Sequence, residues 1–186
     1  MATIKYTIEF FSDWHCGSGL AAGADVDALV VKDRNGLPFV PGKTIKGLIR
    51  EAVVNIIAFK NENKSDKVDK TFGKFTDKDD SSKGEAFFTN AELPKQEADA
   101  IVSNKLQKHL YRSVASTAIN ENGIARDHSL RKVEVVVPCT LEGRILDVPA
   151  DMVADILDGL KYIKRIGVNR NRGLGRCKIE GKEENQ

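Results

Sequence analysis

Cysteine is sparse in this chain. Cys16, Cys139 and Cys177 lie far apart and are odd in number, which argues against a disulfide framework and for a reducing cytoplasm. No Cys-x-x-Cys pair or paired histidine spacing occurs, so no zinc site is expected. The histidines His15, His109 and His128 are scattered, with no serine or cysteine placed to work with them, and His109 reads as a helix-surface residue. No apolar run approaches the length of a membrane span, and Met1-Ala-Thr-Ile-Lys5 lacks the apolar core of a secretory signal, so no membrane partner is expected. An excess of one charge is lacking too. The 29 basic residues nearly cancel the 27 acidic ones, for a net charge of +2. Any nucleic-acid function must rest on local basic clusters rather than on a global field.

What is present suffices for one core. With 41% hydrophobic residues over 186 positions, a single domain over 1–186 is expected. Residues 3–11 alternate apolar and polar side chains and read as a half-buried strand. A small-residue loop follows over 12–25, then a short strand over 27–33 and an Asn35-Gly36 turn. Residues 43–60 carry Ile45, Leu48, Ile49, Ala52, Val53, Ile56 and Ile57 at helical spacing. Residues 61–85 are rich in Lys, Asp, Asn and Ser, with only Val68, Phe72 and Phe75 to bury, and read as a flexible solvated insertion. A strand over 86–93 and a helix over 95–111 come next, then a polar stretch, 112–131, with a turn at Asn120-Glu-Asn-Gly123. Residues 133–137 and 141–148 read as paired strands, 151–163 as a helix, 167–176 as a basic glycine-rich loop and 177–180 as a last strand. This order suggests an α+β fold with helices on one face of an antiparallel sheet, for which a ferredoxin-like core is the natural candidate.

Chemistry is suggested at three places. Pro41-Gly42 ends an apolar run and opens the first helix, where Thr44 can cap free amides beside Lys43, Lys46 and Arg50. A helix start with unpaired N–H groups and adjacent cations suits an anion. It is not a nucleotide-binding phosphate loop, because five residues, two of them proline, separate Gly36 from Gly42-Lys43-Thr44 where that loop needs four. Arg170-Asn-Arg-Gly-Leu-Gly-Arg176 sets three arginines in pliable backbone, suited to phosphate or to nothing more than a surface turn. Asp25, Asp27 and Asp33 form either a solvated edge or a carboxylate group able to hold a divalent ion.

Four segments together, in this order, resemble the RAMP superfamily of CRISPR-associated proteins. The closest similarity is to the backbone subunit of type III effector complexes, the Csm and Cmr assemblies. Trp14-His-Cys-Gly-Ser-Gly19 resembles the family's His-x-Gly-x-Gly loop. Residues 27–50 resemble its Pro-Gly-Ser-x-Lys-Gly-x-hydrophobic-Arg motif and the preceding strand, with Lys43-Thr44 in place of the usual serine. Residues 117–131 resemble the hairpin called the thumb, so that 112–131 is expected to be thumb-like, and 167–175 resemble the C-terminal glycine-rich loop.

The resemblance implies a ferredoxin-like, RRM-related core that stacks head to tail with other subunits along a guide RNA in antiviral defence. On that reading His15, Lys43, Thr44, Lys46, Arg50, Arg170, Arg172, Gly173 and Gly175 contact guide RNA, and Arg126, His128, Leu130 and Arg131 lie at the thumb's wedge or base. Asp27 falls where the family's catalytic aspartate does, which implies an RNA endonuclease cutting paired target RNA with a divalent ion, Mg or Mn, at Asp27. Two readings within the superfamily stay open beside it: a subunit that binds guide RNA without cutting, and a guide-processing endonuclease using His15 as acid or base. A third is an α+β interaction module without RNA.

Overall fold

The computed structural model describes residues 1–22, 26–74 and 82–184. Asp25 and Phe75, both singled out from the sequence, lie outside them.

The core is a four-stranded antiparallel sheet in the order β2-β5-β1-β6, built from β1 (Ala2–Phe10), β2 (Phe87–Phe88), β5 (Thr140–Val148) and β6 (Cys177–Glu184). Helix α1 (Gly42–Phe59) connects β1 to β2, and α4 (Val153–Tyr162) connects β5 to β6. This is the βαββαβ connectivity of a ferredoxin-like core. Period-2 patterning decides which face is buried. Ile4, Tyr6, Ile8 and Phe10 of β1, with Leu141, Ile145 and Ile179, point toward the helices and are buried. Ile45, Ile49, Ala52 and Val53 of α1 and Ile156 and Leu160 of α4 meet them. The other face carries polar side chains and ion pairs, among them Lys5 with Glu142 at 2.9 Å and Lys178 with Glu180 at 2.7 Å. An RRM stacks bases on aromatics of that face; here β1, β5 and β6 present none to it.

Four expectations from the sequence are corrected. The insertion is not wholly solvated, since its first half forms α2 (Ser65–Phe72), which buries Val68, Thr71 and Phe72. The Phe72 ring stacks on Phe88 at 5.6 Å, and Lys64, just before α2, bonds the buried Asp155 of α4 at 2.8 Å. The apolar residues of that stretch are few, but with Thr71 the buried positions fall at i, i+3 and i+4, which is enough for one packed helix face.

The helix expected over 95–111 stops early: α3 is Lys95–Ser103, Lys105 takes a left-handed φ of 55°, a one-turn 3₁₀ helix covers Gln107–Leu110, and β3 (Tyr111–Ser116) begins where the helix was to end. Consequently β4 (Arg131–Val136) pairs with β3 and not with β5, and the two form a separate hairpin. Finally, Thr44 does not cap α1. Gly42 opens the helix against the β2 segment, where its N–H donates to Asn90 Oδ1 at 3.0 Å, and a Cβ at this position would strike the Phe88 carbonyl.

Candidate nucleic-acid interface and cleavage site

The site lies at one end of the sheet, where β1 leaves it and β5 and β6 enter. Phe10, the last residue of β1, stacks on Trp14 with ring centroids 4.6 Å apart. From that stack the 12–20 loop is bonded on three sides. Trp14 exchanges both backbone hydrogen bonds with Val136 of β4. Val31 N–H donates to the Cys16 carbonyl at 2.8 Å, pairing the loop with residues 29–31. The Gly175 and Val168 amides donate to the carbonyls of Asp13 and His15 at 2.7 and 2.9 Å, which seats the glycine-rich loop on the same segment. Gly167 and Gly175 have φ of 96° and 69°, and a Cβ on either would collide with the His15 or the Ile166 carbonyl. Here glycine is required by close backbone approach as well as by φ. The His-x-Gly-x-Gly-like segment and the C-terminal loop, at opposite ends of the sequence, are therefore one assembly.

Asp27 stands on the other side of this assembly, against the outer end of the β3–β4 ladder, at the root of the 117–130 arm that projects beyond it. Its N–H donates to the Lys132 carbonyl at 2.8 Å, and its Oδ2 accepts the Lys132 N–H at 2.7 Å. The carboxylate is exposed yet oriented. Residues 28–30 continue along β4: Glu134 N–H donates to the Ala28 carbonyl at 3.0 Å.

Glu134 is the residue the sequence reading missed. Its Oε2 accepts the Val30 N–H at 3.1 Å, its Oε1 pairs with Lys32 Nζ at 2.8 Å, and its carbonyl lies 2.6 Å from His15 Nδ1. A carbonyl accepts only, so Nδ1 carries the proton and fixes the tautomer with Nε2 as acceptor when the ring is neutral. His15 itself is 4% exposed. The Lys32 ammonium also sits 4.0 Å above the Tyr111 ring, whose hydroxyl donates to the Gly36 carbonyl at 2.6 Å. Asp13, 7% exposed, is paired with Arg112 of β3. A sequence signal for Glu134 existed only as a polar residue in an otherwise apolar strand, Val133-Glu-Val-Val-Val137.

The hairpin projects from this root. Beyond β3 and β4 its outer part is held by Arg126 N–H to the Ala118 carbonyl at 2.9 Å and by the Ser129 hydroxyl. Arg126, His128, Leu130 and Arg131 are all exposed, with His128 in a left-handed conformation of φ 56°. Leu130 is accompanied by two further exposed apolar side chains, Ile119 and Ile124, about two-thirds open to solvent. All three lie on the segment that projects between Ser116 of β3 and Arg131 of β4.

The basic residues divide into two groups. Lys43, Lys46 and Arg50 recur at i, i+3 and i+7 and share one flank of α1, where Arg50 is engaged by Asp69 of α2 at 2.9 Å. Lys43 is exposed, and Thr44 and Lys46 are half-buried. Leu48, Glu51, Ala52 and Asn55 form the opposite flank, which faces Arg170 and the 162–165 segment. Arg170 and Arg172, in a 3₁₀ turn between Asn169 and Gly173, are exposed. The two groups of cations expected from the sequence thus form two basic rims with α1 between them. The first turn of α1 is also not an open anion site, since Asn90 occupies the Gly42 amide.

Among the described residues no three His, Cys, Asp or Glu side chains gather into a metal site. A divalent ion at Asp27 would use its carboxylate, whose Oδ2 is already shared with the Lys132 amide. Such a donor set fits magnesium, which is held by one or two carboxylates with substrate phosphates and water completing the shell.

The sequence model of the RAMP superfamily matches residues 7–178, so the chain belongs to the RAMP superfamily. Two solved chains share its fold with a TM-score of 0.76, each aligned over 97% of both chains. One, 12% identical, comes from the cryo-EM structure of type III-B Cmr-beta bound to cognate target RNA. The other, 13% identical, comes from Cmr-beta in its apo state. No curated protein matches the chain in sequence. None of its helices is long and apolar enough to cross a membrane among the described residues.

Proposed function

We propose that this chain is a backbone subunit of a type III CRISPR ribonucleoprotein, stacking with other subunits, holding guide RNA and cutting the target RNA paired with it. The observation that carries the reading is the double hydrogen bond between Asp27 and Lys132, which ties a solvent-facing carboxylate to the root of an arm that exposes Leu130, Ile119 and Ile124. The shared fold with Cmr-beta chains, one of them from a complex bound to cognate target RNA, supports target RNA as the substrate.

On this reading Lys43, Thr44 and Lys46 on one flank of α1, and Arg170 and Arg172 on the other, hold guide phosphates, with Gly173 and Gly175 shaping the loop. These contacts position the strand and leave sequence recognition to base pairing. The exposed apolar side chains of this arm insert between base pairs and splay one target nucleotide. Its 2′-hydroxyl then lines up with the adjacent phosphate, and this orientation supplies much of the rate. The Asp27 carboxylate accepts the hydroxyl proton as the 2′-oxygen bonds to phosphorus, the bond to the 5′-oxygen breaks, and the leaving oxygen takes a proton from water. The products are a 2′,3′-cyclic phosphate and a 5′-hydroxyl. A magnesium or manganese ion held by Asp27 would neutralise charge on the phosphate. Arg50, paired with Asp69, contributes to guide binding only after giving up that partner. The burial of His15 lends the guide-processing reading no support. The three reduced thiols are compatible with a cytoplasmic place of action.

The test is to assemble the complex on a guide with the Asp27→Ala variant. Loss of target cutting at every position faced by this subunit, with guide retention unchanged, is expected. Cutting at the normal rate assigns the chemistry elsewhere and leaves a non-cleaving structural subunit.

A further inference from the structure

Tyr162 ends α4 and is 57% exposed, an unusual position for an aromatic ring that no neighbouring ring covers among the described residues. It stands at the edge of a groove of about 550 Å³ between α1 and the 162–171 segment. That size lies within the range of small-ligand sites. The floor is apolar, formed by Leu48, Ala52 and Ile163. The rim carries Lys164, Arg165 and Arg170 against the single carboxylate of Glu51, so its charge favours an anionic occupant. Arg165 is fixed in place, because its Nη1 donates to the Arg170 carbonyl at 2.8 Å. The amides of Asn55 and Asn171 add groups that both donate and accept. At Arg170 and Asn171 the groove runs into a second concavity of about 450 Å³ along residues 167–172.

An apolar floor, an open aromatic face, paired donor–acceptor amides and a cationic rim match the parts of a single nucleotide: base plane, base edge and phosphate. We infer that this groove holds one unpaired nucleotide of a single-stranded RNA, with its base stacked on Tyr162 and its phosphate beside Arg165 and Arg170. The inference rests on the reading that RNA lies along the glycine loop, and it adds a base-stacking site to what would otherwise be phosphate contacts alone. Stacking tolerates every base, so the site adds affinity without sequence preference. An acidic peptide would use the cationic rim but has no need of an open aromatic face beside two amides.

The experiment uses the full chain and a single-stranded RNA carrying 2-aminopurine at successive positions, with Tyr162→Ala, Tyr162→Phe and Arg170→Ala. Expected are quenching of the probe at one position with the native chain, about tenfold weaker binding and loss of that quenching in Tyr162→Ala, and near-native behaviour in Tyr162→Phe. An unchanged salt slope in Tyr162→Ala separates loss of stacking from loss of a charge. Weaker binding in Arg170→Ala, with Tyr162→Ala native in affinity and quenching, overturns the base site while leaving RNA on the glycine loop. If no variant changes binding, the underlying RNA reading fails with it.

Discussion

The Asp27 carboxylate and the Lys132 amide are 2.7 Å apart, and the Asp27 amide returns a bond to the Lys132 carbonyl. The acid is therefore fixed to the strand that leads out of the hairpin, and anything that moves the hairpin root moves the acid. Glu134, two residues further along, holds the neighbouring segment through the Val30 amide and Lys32. Glu134→Ala leaves the Val30 N–H without its acceptor, at a cost of about 1–3 kcal/mol. Hydrogen exchange should show residues 26–32 opening faster, with Glu134→Gln intermediate because it retains one acceptor oxygen. Equal protection in all three proteins would mean that the segment is held by other contacts.

The glycines of the C-terminal loop should separate into two classes. Gly175→Ala meets the Ile166 carbonyl and Gly167→Ala the His15 carbonyl, both at positive φ. Each should lower unfolding stability by about 2–4 kcal/mol, combining steric conflict with backbone strain. Gly173 has φ of 93° but nothing within 4 Å of an added Cβ, so Gly173→Ala should cost only about 1 kcal/mol. Urea unfolding of the three variants decides; equal losses would contradict the packing described at Gly167 and Gly175.

RNA affinity should fall with salt, and the two basic rims should contribute separately. Lys43→Ala and Arg172→Ala should each lower the log–log salt slope by about 0.7, and the double variant by about twice that, since they lie on opposite flanks of α1. Arg50→Ala should change the slope less, because Asp69 already neutralises it. A full reduction from Arg50→Ala would show that RNA displaces Asp69.

Burial raises the thiol pKa of Cys16 and of Cys177 to about 12, and that of Cys139 to about 11. Raised values mean that the folded state keeps protons the unfolded chain releases. The stabilisation from these groups is whole below the ordinary thiol value and is lost as pH rises through the folded one, at about 1.4 kcal/mol per unit for each neutral thiol. The urea midpoint should drop between pH 8 and pH 10, and drop less in a Cys16→Ala/Cys177→Ala variant. Parallel behaviour of the two proteins would remove the thiols from the account.

Periodicity carried much of the fold. β1, α1 and α4 have clean 2.0 or 3.6 repeats, and the structure places them within a residue or two of expectation. The hairpin was less legible, because Tyr111–Ser116 follows a helical stripe without a proline or glycine to mark the change; the break is the left-handed Lys105. Losing β3 to a helix left β4 to be assigned the wrong partner. Asp27 and the glycine loop could be picked out from local motifs, but their meeting through His15, Asp13 and Lys132 depends on hydrogen bonds between distant segments. Glu134 showed only as a polar residue in an apolar strand, since its role is carried by what folds around it. The two-sided arrangement of cations about α1 was likewise hidden until α2 and the 162–171 segment took their places on either flank.

The central claim is that the charge of Asp27 cuts RNA, and Asp27→Asn tests it most directly. The asparagine Oδ1 can still accept the Lys132 N–H, so the hairpin root is kept and only the charge is lost. With the variant assembled on a guide and supplied with complementary target RNA, guide retention and target binding should match the native complex. The single-turnover cleavage rate should fall at least a hundredfold, the scale of a proton-transfer role. A native cleavage rate in a complex that binds both RNAs normally would contradict the account.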